Sequence, residues 1–336
     1  MRIVIDSDGG CDDAAAIVWL AGRPDVEIAA VTAVGGNVAV RQAGRNLRVI
    51  LEACGRADVP VLLGRDPSPD RPHLERPVAI HGHDGLGDVG LADPQRPPQA
   101  GGAAELLATE LGRGTTLLSL GPLRNVADAL AADPAAVRSG ARLVAMGGSA
   151  RAQGNARPTA EANVAHDPAA AAAVVAAGWA VPPLLVGLDV TLAATLRAQE
   201  RDLLAARRTP AAAFLAGPLA AYNRRSGTFC PPGETPVHDL LAAMALVLPD
   251  LVAAPVLPVA VDTGRSAAWG QTVVDLRVLA WQRAAAAADG TAQGGVPAGA
   301  ADPTGANAAG DGDPVAVALE VDVEAFRWHV RHLCGG

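Results

Sequence analysis

Short apolar strands alternate with helical stretches through most of this 336-residue chain, and few folds accept that pattern. "RIVI" runs into the helical "DDAAAIVWLAG", and "VEIAAVTAV" into "AVRQAGRNLRVILEACG", before "VPVLLG". Further on come "TTLLSL" with "PLRNVADALAA", then "ARLVAMGG", "DPAAAAAVVAAG" and "VPPLLVGLDV". Strands alternating with helices predict βαβ units and a largely parallel sheet. Strands that are apolar throughout belong between two helical layers. The expected fold is therefore α/β, a single domain over 1–336 with a mainly parallel, doubly wound (Rossmann-like) central sheet. Ligands of such sheets bind beyond the carboxyl ends of the strands, where the polar residues of this chain gather.

Hydrophobic residues make up 50% of the chain, which marks it as globular. No apolar run reaches the roughly 18 residues of a membrane span, and no basic start leads into a signal stretch, so a cytoplasmic location is expected. Cys11, Cys54, Cys230 and Cys334 are scattered without C-x-x-C spacing, against a disulfide framework or structural zinc. A net charge of -8 speaks against nucleic acid as a partner. All 27 basic residues are arginine, so chemistry that needs a lysine is excluded. The stretch 286–313 is rich in Ala, Gly, Asp and Pro and aperiodic, the mark of a flexible insertion.

The first strand ends in "IDSDGGCDDAAAI", four aspartates (Asp6, Asp8, Asp12, Asp13) within eight residues. Turn-forming and helix capping explain one or two of them. Like charges this dense raise one another's pKa unless a cation is shared. Asp6 and Asp8, alternating about Ser7, are expected on one side of the sheet. Gly9 and Gly10 permit a turn with positive φ. Asp12 and Asp13 open a helix whose dipole favours negative charge. A hard divalent cation suits such a cluster. An EF-hand does not, because Ile17 stands where its bidentate Glu is needed.

Taken alone, the cluster leaves open an aspartate-nucleophile phosphatase, since "DSDGG" resembles the start of the haloacid-dehalogenase superfamily. The rest of the chain resembles another family, the nucleoside hydrolases (inosine–uridine-preferring nucleoside N-ribohydrolases), beginning with their D-x-D-P-G-x-D-D-A signature. Further matches follow in order: "AVGGN" at 33–37, "HGHDGLG" at 81–87, "SLGPLRNVADAL" at 119–130, "MGGSARAQGN" at 146–155, "AEANVAHDPAAA" at 160–171, "GLDVT" at 187–191 and "VHD" at 237–239. The resemblance covers nearly all of the chain outside the insertion.

That resemblance implies the nucleoside hydrolase fold and Ca²⁺-dependent hydrolysis of ribonucleosides to free base and ribose, in purine or pyrimidine salvage. By position, Asp8, Asp13 and Asp239 match the metal-ligating aspartates, and Leu120 matches a residue that coordinates through its backbone carbonyl. Asp8 also matches the general base for the attacking water, and His238 the acid that protonates the departing base. Asp12, Asn37 and Asn163 match ribose-hydroxyl positions, and Glu161, Asn155 and Met146 those around the 5′ end. His81 matches a second base-side histidine, Tyr222 lies where some members place a tyrosine, and Asp6 is expected to support the others from behind. His83 and His166 match no family role and are read as structural. A homodimer or homotetramer is implied. Two departures bear on substrate: Gly9 replaces the signature proline, and Ala162 replaces a phenylalanine beside the sugar. They leave as alternatives a catalytically silent nucleoside- or sugar-binding relative, or a hydrolase of an unusual riboside. Base specificity is expected in the loops 73–85 and 218–237.

Overall fold

In a computed structural model, which describes residues 1–67, 74–226, 230–280 and 312–332, the alternating segments form one nine-stranded sheet. Six strands lead in chain order: β1 (Arg2–Ser7), β2 (Glu27–Ala33), β3 (Val61–Leu63), β4 (Thr116–Ser119), β5 (Leu143–Met146) and β6 (Leu184–Val186). Across the sheet the order is Thr272–Val274, Val256–Val261, Asp313–Val317, β6, β5, β4, β1, β2, β3. Neighbours pair in parallel from β3 to Asp313–Val317, and only Val256–Val261 runs antiparallel to both of its neighbours. The insertion expected at 286–313 lies outside the described residues except for Gly312 and Asp313, and Asp313 already begins a strand. Among the described residues no helix is long and apolar enough to cross a membrane.

Period two along β1 divides the core. Ile3 and Ile5 join one buried cluster with the helices α1 (Cys11–Ala21), α2 (Val40–Ala53) and His238–Val247. Val4 joins a second, with helices Ala103–Gly112, Arg124–Ala132 and Pro168–Val175. Helices thus cover both faces, as the apolar strands require. α1 is buried from Cys11 to Leu20 and packs against the equally buried helix His238–Val247. This packing sets the N-termini of two helices side by side, although one follows β1 directly and the other lies more than 200 residues further on.

Chain direction across the sheet reverses between β1 and β4: β2 and β3 add on one side, β4 to β6 on the other. Such a switch point opens a crevice at the strand ends. It is stitched by Leu120, whose N–H donates to the Asp6 carbonyl at 2.7 Å. Asp6 itself lies on the Val4 face. Its Oδ1 accepts from Thr32 Oγ1 at 2.6 Å and from Asn125 Nδ2 at 2.8 Å, tying β1 to β2 and to the helix after β4. Ser7, on the other face, donates to Asp13 Oδ1 at 2.5 Å. The expectation that Asp6 and Asp8 share a side of the sheet therefore fails: the strand stops at Ser7, and only Asp8 swings over the crevice. The turn that does this has Gly9 at φ +69, whereas Gly10 is extended at φ -80. Gly10 is needed for space instead, since a Cβ there would sit 2.6 Å from Asn37 Nδ2 and 2.9 Å from His81 Nδ1.

Asn125 is almost fully buried, donates also to the Ala33 carbonyl at 2.9 Å, and accepts from the Arg65 N–H. Replacing it by alanine strands these partners without water. We expect Asn125→Ala to cost ~2–4 kcal/mol in denaturant unfolding; a loss below about 1 kcal/mol would mean that solvent replaces the amide.

Candidate active site

Asp8 lies just past β1, at 1% exposure. Its Oδ2 accepts from the Asn37 N–H at 2.8 Å and its Oδ1 from the Asn37 side-chain amide at 3.0 Å. Gly36 makes this approach possible, because a Cβ there would lie 2.1 Å from Asp8 Oδ2. Asp13, in the first turn of α1, takes the Ser7 hydroxyl on Oδ1 and the Gly10 N–H on Oδ2. Asp12 and Asp239 sit at the two adjoining helix N-termini, and the backbone N–H groups of Asp239 and His238 favour the ionised Asp12 carboxyl. Helix dipoles add to that preference.

These favourable contacts do not balance burial. Asp8 is held well above the ordinary carboxylate range by burial, then by Asp13. Asp12 is pushed up to about 8 by burial and Asp13, and Asp239 well above its usual range by burial, Asp12 and Asp13. Asp12, Asp13 and Asp239 each bring a carboxylate oxygen within 4.8 Å of the others. Asp8 adjoins Asp13 as a hydrogen-bonding neighbour, as does Asp239. Asp12 Oδ1 is buried without a hydrogen-bond partner. A cluster of hard oxygen donors with an orphaned oxygen and strong mutual repulsion fits a divalent cation. The Leu120 carbonyl borders the same cleft and accepts from Asn163 Nδ2 at 2.9 Å.

The cleft above this floor is open to solvent and lined by both polar and apolar side chains, the form of a small-molecule site. One wall is aromatic. His81, closing the short helix Val78–His81, stands 5.0 Å from the ring of Tyr222 on helix Pro210–Arg225. The Cys11 N–H donates to His81 Nδ1 at 3.3 Å, so the neutral ring carries its proton on Nε2. Burial, reinforced by His238, lowers His81 to about 3. His238 opens the helix His238–Val247, and burial lowers it to about 4. Its Nδ1 lies 2.8 Å from Thr191 Oγ1.

Opposite is a polar wall. Asn155 Oδ1 accepts from the Ala162 N–H at 2.9 Å, and Glu161 caps the helix Ala162–His166 by accepting from the Asn163 and Val164 N–H groups. Glu161 also takes the Gly148 N–H, and burial raises its pKa. Asn163 Nδ2 reaches the carbonyls of Leu120 and Met146. Glu161 is thus a buried helix cap.

Of the residues singled out in the sequence, Asp12, Asn37, His81, Leu120, Met146, Asn155, Glu161, Asn163, Tyr222, His238 and Asp239 line one cleft. Asp8 and Asp13 are buried behind that lining, Asp8 hydrogen-bonded to Asn37 and Asp13 with a carboxylate oxygen within 4.8 Å of Asp12 and Asp239. Asp6 is not among the lining residues. His83 is exposed and pairs with Asp88 at 3.4 Å, in keeping with a structural role. His166 also lines the cleft, and its Nε2 is buried without a partner. Its one available signal was the spacing of three residues after Asn163, which puts both on one helical face. Ser226 lines the cleft with a buried, unpartnered hydroxyl, and no local pattern marked it.

A sequence profile described as "Inosine-uridine preferring nucleoside hydrolase" matches residues 3–328. The non-specific ribonucleoside hydrolase RihC of Klebsiella pneumoniae is 37% identical over 281 residues, covering 82% of this chain and 88% of its own length. The pyrimidine-specific ribonucleoside hydrolase RihA of Salmonella enteritidis is 34% identical, covering 83% and 90%. Among solved structures, a purine-preferring ribonucleoside hydrolase from Gardnerella vaginalis superposes with a TM-score of 0.82 at 28% identity, over 99% of this chain and 98% of that one.

Raised carboxyl pKa values make stability depend on pH in a definite direction. The folded chain without a cation keeps protons that the unfolded chain has released, so the contribution is fully present below the ordinary value of 3.8 and lost as pH rises through about 8. In chelator, the melting temperature should fall between pH 5 and pH 9 more steeply than with a saturating divalent cation. Parallel curves with and without cation would mean that the cluster binds none.

Proposed function

The chain belongs to the inosine-uridine preferring nucleoside hydrolase family, and on that premise we propose that it cleaves ribonucleosides to base and ribose with Asp8 as general base, His238 as general acid and Ca²⁺ as its metal. The observation that carries this reading is the meeting, at two helix N-termini under one cleft, of the buried carboxylate cluster with a buried imidazole. Asp13 and Asp239 would hold the cation, completed by Asp8 and the Leu120 carbonyl. When bound, the cation supplies fixed positive charge that keeps the surrounding carboxyls ionised and favours oxygen ligands.

The chain's own residues then divide the work. Asn37, through two hydrogen bonds, fixes the Asp8 carboxylate, which takes a proton from the water attacking C1′. As the C1′–N bond breaks, its electron pair passes to the base nitrogen and His238 gives that nitrogen a proton. Positive charge that builds on the ribose ring is offset by the carboxylates beneath it. Asp12, Asn37 and Asn163 suit the ribose hydroxyls, and Asn155, Glu161 and Met146 the 5′ end. His81 and Tyr222 flank the base. Names borne by the relatives include non-specific, pyrimidine-specific and purine-preferring enzymes, so base preference here is a matter for direct assay. A homodimer or homotetramer in the cytoplasm completes the proposal.

Ribose release from a panel of purine and pyrimidine ribonucleosides, with calcium and with chelator, tests the reaction and the metal together; release that ignores chelator removes the cation. Asp8→Asn should reduce turnover by at least ~10³-fold while the melting temperature stays near the parental value. His238→Ala should slow inosine hydrolysis ~10²–10⁴-fold yet spare p-nitrophenyl riboside, whose leaving group departs without a proton. Equal losses on the two substrates would exclude His238 as the acid.

A further inference from the structure

We propose that Thr191 is a positioning residue for this reaction, its hydroxyl holding the His238 ring by Nδ1 so that Nε2 meets the departing base. The inference rests on His238 being the acid. Thr191 ends the short helix Leu188–Thr191 that follows β6, and it is fully buried. Its backbone is fixed on both sides: the N–H donates to the Gly187 carbonyl, and its own carbonyl accepts from the Ala194 N–H. As a β-branched residue it has few rotamers, so its hydroxyl is held in place. His238 begins another helix 47 residues on, and the 2.8 Å contact with Thr191 joins the two elements.

The histidine needs such a tether. Its ring turns about a broad sp³–sp² torsion, whose setting a hydrogen bond can fix. Among the described residues the contact with Thr191 is the one hydrogen bond of the His238 ring. With Nδ1 so engaged, Nε2 is left for the cleft that His238 lines. A hydroxyl both donates and accepts, so it suits the task through proton transfer. Nδ1–H donates to Oγ1 in both forms of the ring: in the imidazolium, whose Nε2 proton passes to the base nitrogen that receives the C1′–N electron pair, and in the neutral ring left behind. Thr191 thereby decides which ring nitrogen works, without touching substrate.

Thr191→Val removes the hydroxyl at nearly constant volume, and Thr191→Ser keeps it. With calcium present, the valine variant should lose ~10–100-fold in kcat on inosine with KM within about 3-fold, and keep near-parental turnover of p-nitrophenyl riboside. The serine variant should recover most of the lost rate. If the valine variant does not fold, Thr191→Ala carries the same contrast. Equal losses on both substrates, or a serine variant no better than valine, would overturn the proposal in favour of a packing role. His238→Ala run alongside separates the two readings: if it is selective for inosine and the Thr191 variants are not, Thr191 fails alone; if it is not selective, both fall. Nitrogen-15 labelling of histidine gives a readout independent of turnover, since the Nδ1–H tautomer of His238 should persist in the serine variant and become mixed in the valine variant.

Discussion

Repulsion among buried carboxylates is the constraint around which this molecule is arranged. Asp8, Asp12 and Asp239 are each pushed toward their neutral forms, first by burial and then by their neighbours. Helix N-termini, the Asn37 amide and the Gly10 N–H offset part of that cost. What remains unfavourable is what gives a cation a reason to bind. A site satisfied by the protein alone would hold no ion tightly, because nothing would be gained on binding.

Topology supplies the place. The reversal of strand order between β1 and β4 leaves a crevice, and the packing of α1 on helix His238–Val247 delivers carboxylates and imidazole to it from opposite ends of the chain. Behind the crevice, Asp6 and Asn125 lock the strand ends together through a buried polar network. Among the described residues, that network makes no hydrogen bond to Asp8, Asp12, Asp13 or Asp239, yet the carboxylate cluster is only as rigid as the strands that the network joins.

Much of this was legible in the sequence, for physical reasons. The apolar strands and their helical connections specify a covered parallel sheet, and the density of aspartates after β1 specifies a shared counter-charge. Asn37, Glu161 and His238, from three of the ordered motifs, line one cleft. What escaped depends on contacts that no local pattern carries. Strand alternation joined Asp6 to Asp8, but the strand ends at Ser7 and the left-handed Gly9 turns the chain away. Thr191 was visible only as the end of "GLDVT", since its partner is a ring 47 residues later. His166 and Ser226 gain their meaning from the walls packed against them. The antiparallel strand Val256–Val261, second from the sheet edge, follows from a return of the chain that strand patterning does not encode.

The carboxylates and the other residues that line the cleft come from different kinds of structure. The carboxylates stand on strand ends and on helices buried along their length, where almost any replacement disturbs the core. Other lining residues, among them Leu74, Glu75, Ala156, Ala162, Leu192 and Ser226, stand mostly at loops and helix ends. Side chains there exchange at little cost to folding. Evolution can therefore re-tailor what this scaffold admits while the bond-breaking apparatus stays still.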